Sequence, residues 1–209
     1  MRHSILFLLF LQCFPASGLL AAQNPADLPS QVGPTLSAPP FSRDEKFEYR
    51  IVQSFGLRGF LGAGMEAGIG QATNTPSEWG QGTEGFAKRY GSSFGTNLSR
   101  QSMAFVLEET LHEDPRYFPS EEKGFRARLK NVLLQTVVTR TDSGAERFAY
   151  SRVISAFGTG QLVNAWQPHS TGGAGDGVLR GLIMLGGDAG YNFLQEFVPW
   201  MRPRSLRHR

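Results

Sequence analysis

The sequence predicts an all-α protein: a single-domain bundle of about five helices packed through small-residue faces of Gly, Ala and Ser. Three observations carry that prediction. Small residues recur every fourth position, as in Ala87, Gly91, Gly95 and Ser99, and residues four apart share a helix face. Large apolar residues recur at helical spacing elsewhere, as in Phe47, Ile51 and Phe55. No stretch shows the apolar–polar alternation between turn signals that announces strands or hairpins. A glycine costs about 0.8–1.0 kcal/mol against alanine inside a helix. A chain with 25 glycines that nevertheless forms helices needs close interhelical packing in return.

Residues 1–22 read as a signal peptide. Arg2 and His3 precede the apolar run Ile5 to Leu11, and Leu20-Ala21-Ala22 ends the segment, with cleavage expected before Gln23. The run is shorter than the roughly 20 apolar residues that span a bilayer. The single cysteine, Cys13, lies inside this segment. The exported chain then carries no thiol, which fits an oxidising periplasm or cell envelope and excludes disulfide, zinc-thiolate and cysteine-nucleophile chemistry. Residues 23–40, with Pro25, Pro29, Pro34, Pro39 and Pro40, read as a flexible linker. The helical domain is expected over residues 41–199, enough chain for a core. Residues 200–209 form a basic tail through Arg202, Arg204, Arg207 and Arg209, suited to peripheral contact with anionic lipid head groups. The formal net charge is only +3, and no nucleic-acid partner is expected.

Within the domain, Ser42 caps a first helix with Asp44 and Glu45 in its opening turn, where carboxylates suit the helix dipole. That helix continues through Gly56, Gly59, Ala63, Gly64, Ala67 and Gly68 to a break at Thr73-Asn74-Thr75-Pro76. The next, through Gly85, runs to a charged corner, His112-Glu113-Asp114-Pro115-Arg116-Tyr117. Pro115 stops it and, with Asp114 as cap, opens a short new turn. A third helix starts at Ser120 or Glu121 and carries Phe125, Leu129, Val132, Leu133 and Val137. Thr139 to Gly144 reads as a turn. Ser143 and Glu146 have capping-box spacing for a fourth helix through Val153, Phe157 and Trp166. The last helix is expected from Asp176 to about Val198.

Tyr90-Gly91, the block Leu111 to Tyr117 and the block Thr139 to Gly144 together resemble an uncharacterised family of secreted proteins common in acidobacteria-type genomes. The resemblance covers about residues 85–199. It implies a signal-bearing, helix-rich envelope protein and brings no activity, cofactor or partner with it.

Several constellations bear on chemistry. His112, Glu113, Asp114, Arg116, Tyr117, Arg140 and Asp142 can form an ion-pair cluster that ties one interhelical turn to another, or a ligand site in which paired arginines grip a phosphate or carboxylate. Glu109 and His112 have the Glu-x-x-His spacing of a metal-binding helix, with Glu66 and Glu84 as further carboxylates, but the second Glu-x-x-His of a di-metal bundle is absent from the sequence. Gly91-Ser92-Ser93-Phe94-Gly95 matches the Gly-x-Ser-x-Gly of hydrolases, with Asp142 and His169 following, yet a helix and not a strand precedes the serine. Gly80 to Gly85 matches a dinucleotide fingerprint without its strand. No cofactor is expected. Charges embedded in the small-residue helices, Arg58, Glu66, Lys88, Arg89, Arg152, Arg180 and Asp188, each cost about 2.5–3.5 kcal/mol at mid-bilayer and argue against a polytopic protein. The expected role is non-enzymatic, structural or envelope-associated binding, with homo-oligomerisation through glycine faces open. The alternative is a metal-dependent or serine-type hydrolytic enzyme.

Overall fold

The computed structural model describes residues 39–198. The segments read as a signal peptide and a basic tail, nearly all of the expected linker, and Pro199 lie outside the described residues. Among the described residues six α-helices and one small hairpin make up the fold: α1 (Arg43–Phe55), α2 (Leu57–Ala72), α3 (Gly82–Leu111), α4 (Phe125–Val137), β1 (Val138–Arg140), β2 (Glu146–Phe148), α5 (Tyr150–Val163) and α6 (Ala174–Phe197).

The all-α expectation holds, and α1 begins as the sequence announces. The Ser42 hydroxyl accepts from the Glu45 amide while the Glu45 carboxylate accepts from the Ser42 amide, a complete capping box. The first predicted helix divides, however, at Gly56. A Cβ there would lie 2.3 Å from the Val52 carbonyl oxygen, and one on Gly59 2.1 Å from that of Ser54. The turn between α1 and α2 folds so tightly onto the preceding carbonyls that only glycine fits.

The long helix α3 is the spine. The α1–α2 limb packs along one side of it and α5 along another; α6 packs on α5, and α4 on α6. The helices thus follow an arc, α2–α3–α5–α6–α4, in which α2 and α6 have no packed seam. They meet where the Arg58 guanidinium lies 3.3 Å from the centroid of the Tyr191 ring.

The small-residue seam forms between α5 and α6. A Cβ on Gly160 would come within 2.2 Å of the Gly177 carbonyl oxygen, and one on Gly181 within 2.4 Å of the Phe157 ring. The Ala87, Gly91, Gly95, Ser99 row of α3, expected to be such a groove, is not one: a Cβ at Gly91 or Gly95 meets nothing within 4 Å. The face of α3 that is buried carries Gly85, Arg89, Ser93, Ala104 and Glu108.

Four further expectations give way around the corner. After an isolated bridge from Glu113 to Thr141, residues 114–120 form no helical turn, and α4 starts at Phe125, later than Ser120 or Glu121. A hairpin exists: β1 and β2 pair antiparallel with Thr139 opposite Arg147, closed by Gly144 at φ 86°. Strands of three residues are too short to show alternation. Ser143 and Glu146 consequently lie in the hairpin and cap no helix; α5 starts at Tyr150.

The interior is unusual in composition. Its buried apolar residues are mostly small, including Ala63, Ala67, Ala104, Ala149 and Ala156, whereas its largest fully buried side chains are Lys46, Gln195, Glu108, Glu113 and Glu196. Large apolar side chains lie outward on α1, α2, α4, α5 and α6. Among the described residues no helix is long and apolar enough to cross a membrane.

Candidate functional site: an interhelical corner and an arginine-lined cavity

The corner foreseen in the sequence is a bracket built around two buried carboxylates. Glu113 is completely buried. Its carboxylate accepts from the Tyr150 amide at 3.2 Å, the Ser151 amide at 2.9 Å and the Ser151 hydroxyl at 2.5 Å. It therefore caps the N-terminus of α5 from a distant part of the chain, satisfying amides that lack intrahelical partners and meeting the positive end of the dipole. Arg147 donates to the same carboxylate at 3.2 and 3.1 Å and also to the Leu111 carbonyl, so β2 and the end of α3 are drawn into one network.

Asp114 takes the Arg116 guanidinium bidentately and the Arg116 amide at 3.0 Å. Its own amide donates to the Arg140 carbonyl and its carbonyl accepts from the Thr139 hydroxyl, both at 2.8 Å. Arg116 in turn donates to the Pro39 carbonyl and lies over the Phe41 ring at 4.0 Å, securing the start of the domain. Tyr117 donates to Glu196 at 2.6 Å and accepts from Asn131 at 3.0 Å. Burial, reinforced by the bond to Glu196, pushes the Tyr117 phenol well above its ordinary value. The Arg140 side chain stands apart from this network, stacked 4.4 Å from the Phe118 centroid and 3.9 Å from Glu146.

His112 and Asp142 sit at the rim. His112 closes α3 in the left-handed region at φ 54° and leaves its ring exposed. Asp142 pairs with buried Lys46 at 2.9 Å and lies 3.7 Å from His112, with Oδ1 buried and unpartnered. Glu109 faces Lys46 at 3.7 Å and Arg43 at 3.9 Å. Among the described residues no three His, Asp or Glu side chains are gathered to hold a metal ion. No hydrogen bond joins Ser93, Asp142 and His169. Asp142 belongs to the corner, whereas His169 starts a single turn of 3-10 helix, His169–Thr171, whose Ser170 bonds Glu78. Gly80 lies in the turn before α3, and Gly82 and Gly85 lie in the first turn of α3 itself.

The second feature is the space inside the arc, a cavity of about 860 Å3 bounded by α1, α2, α3, α5 and α6. Its wall carries six arginines, Arg50, Arg58, Arg89, Arg100, Arg152 and Arg180, against three carboxylates, Glu66, Asp176 and Asp188. Two of the six are neutralised: Arg50 holds Glu108 bidentately and Arg100 holds Asp188 at 2.5 Å. Burial, opposed by the Arg50 pair, pushes Glu108 above the ordinary carboxylate range. Arg89 is structural, donating to the carbonyls of Thr75, Pro76 and Gly80 and to Gln71, and so pins the loop between α2 and α3.

The remaining three have neutral partners: Arg58 bonds Gln53 at 2.6 Å, Arg152 bonds the Gln135 carbonyl, and Arg180 bonds Asn164 at 2.7 Å and the Thr171 carbonyl. None of these three forms a salt bridge among the described residues. Burial lowers the Arg180 guanidinium below its ordinary value, outweighing the pull of Asp176 and Glu66. These arginines are visible in the sequence only as charges misplaced in small-residue helices; their convergence depends on the arc. Ser93 also lines the cavity, while neighbouring Ser92 accepts from Trp166 at 3.0 Å and Gln167 at 2.9 Å. No family model, curated protein or solved structure matches this chain.

Proposed function

We propose that this is an exported, non-enzymatic binding protein of the cell envelope that holds an anionic ligand inside its arc of helices. The observation that supports this is the set of three cavity-lining guanidiniums, Arg58, Arg152 and Arg180, bonded to neutral groups and to no carboxylate. Arg152 and Arg180 are half-buried and Arg58 is exposed, and the planar fork of a guanidinium that engages no carboxylate suits carboxylate and phosphate oxygens. The cavity volume falls within the roughly 300–1,000 Å3 of small-molecule sites. The corner supports this role indirectly, by fixing the ends of α3 and α5 that form the cavity's back wall.

Thermal denaturation with inorganic phosphate and with citrate tests the reading. Either anion at 10 mM raises the Tm of the wild-type protein, and the rise disappears in the Arg58→Ala/Arg180→Ala variant. Equal Tm values with and without both anions, at matched ionic strength, would refute it. The rival reading, a hydrolase at Ser93 or a metal enzyme at Glu109 and His112, requires ester or metal-dependent hydrolysis that Ser93→Ala or His112→Ala abolishes.

A further inference from the structure

We infer that the anionic ligand is an amphiphile, a single-chain lipid whose charged head lies among the cavity arginines and whose tail lies in the open gap between α2 and α6. The inference rests on the anion-binding reading above and adds the class of ligand to it.

The gap supplies the argument. Apart from the Arg58–Tyr191 contact, α2 and α6 have no packed seam, so the cavity opens sideways between them, and its lips carry large apolar side chains, with Glu66 as an exposed charge on the α2 side. Ile69 on α2 and Leu179 and Ile183 on α6 line the cavity, and all three are more than half exposed. The apolar surface continues outward on either side, through Leu61 and Met65 on α2 and Val178 and Leu182 on α6. Charge is sorted the opposite way. The exposed face of α6 carries no Asp, Glu, Lys or Arg along its length, while its Arg180 and Asp188 turn into the cavity.

A site for a small soluble anion has no use for such lips, which hold exposed hydrocarbon at the mouth of a charged chamber. A molecule with a charged head and an apolar chain satisfies both regions at once: the guanidiniums gain oxygens and the lips lose water. A membrane is the natural source, since a lateral mouth lined by Ile and Leu and flanked by apolar helix faces can receive a chain directly from hydrocarbon.

The test uses three matched probes below their aggregation concentrations: dodecyl phosphate, inorganic phosphate and dodecanol, titrated calorimetrically into the full exported chain, with stoichiometry from native mass spectrometry. Dodecyl phosphate is expected to bind one per chain and about 100-fold more tightly than phosphate, the effect of burying three or four methylenes. Dodecanol is expected to bind at least tenfold more weakly than dodecyl phosphate. Ile69→Asn/Ile183→Asn, at exposed positions that leave the fold intact by circular dichroism, should remove the advantage of dodecyl phosphate over phosphate and leave phosphate binding unchanged. Dodecyl phosphate binding no more tightly than phosphate would overturn the amphiphile and leave the anion site standing. Dodecanol matching dodecyl phosphate, or many probes bound per chain, would show adsorption to the apolar exterior and overturn it too. Failure of all three to bind would overturn the anion site along with it.

Discussion

Replacing Glu113 by Gln tests the bracket most directly, because shape is nearly preserved while charge and one acceptor are lost. In the native corner two carboxylate oxygens serve the amides of Tyr150 and Ser151, the Ser151 hydroxyl and the Arg147 guanidinium. Glutamine offers one oxygen, and its amide group turns donors toward donors. Loss of a helix cap costs about 1 kcal/mol. Breaking a buried charge pair costs about 3–5 kcal/mol, a figure reduced here because the Arg147 side chain is 35% exposed and regains water. The two together give a destabilisation of about 3 kcal/mol. At about 2–4 °C per kcal/mol for a domain of this size, the Tm falls by about 6–12 °C. Urea and thermal denaturation followed by circular dichroism at 222 nm measure both quantities. A loss below 1 kcal/mol would refute the assignment of Glu113 as the cap of α5. Arg140→Ala provides the contrast: its side chain stacks on Phe118 outside the network, so it should cost only about 0.5–1 kcal/mol.

Two glycines of similar helical setting should respond with opposite sign. Gly91→Ala meets open space and should stabilise by up to about 1 kcal/mol, whereas Gly160→Ala drives a methyl into the Gly177 carbonyl and should destabilise by about 2 kcal/mol or more; equal urea midpoints would contradict the seam. Burial raises Tyr49 and, with the Glu196 hydrogen bond, Tyr117 above the ordinary phenol value of 10.0, so a spectrophotometric titration at 295 nm should show two of the five tyrosines ionising late. Because the folded state keeps these protons, their contribution to stability is full below pH 10 and is lost as pH rises above it; Tyr117→Phe should remove one late phenol. For Glu196 the sign reverses. Burial alone would raise its pKa, but hydrogen bonds from Arg128, Tyr117 and the Ser120 amide outweigh it and hold the carboxyl below 4.5, so its contribution is present above that pH and lost as pH falls below it. Acid unfolding of Glu196→Gln should accordingly be shallower below pH 4.5 than that of the wild type.

Local features were legible in the sequence and long-range ones were not. The Ser42–Glu45 capping box and a turn at Asp142 to Gly144 are written within a few residues, and the structure contains both, although Thr139 and Arg140, read as part of that turn, belong to β1. The charged corner was also legible as a cluster, since His112 to Tyr117 and Arg140 to Asp142 are adjacent in the fold. The division of labour inside it was not. Sequence reasoning gave the tie to the Arg140 side chain, whereas the Arg140 carbonyl makes it, and the cap of α5 comes from a carboxylate 38 residues before Ser151. The α3 glycine row misled because periodicity states which residues share a face and not whether a neighbour occupies it. Arg58, Arg152 and Arg180 stood out as misplaced charges; that they face one space follows only from the arc's topology.

An arc, unlike a closed ring of helices, has no fixed circumference. The α1–α2 limb joins the rest along α3, with a glycine joint at Gly56. Its far edge takes no part in the glycine seam between α5 and α6; α2 packs on α3 and reaches α6 through Arg58 on Tyr191. If the proposed ligand enters there, no closed ring of helices limits its girth, and selection would fall to the charges at the back of the chamber. Binding of the proposed kind would then discriminate by head group and tolerate variation in bulk.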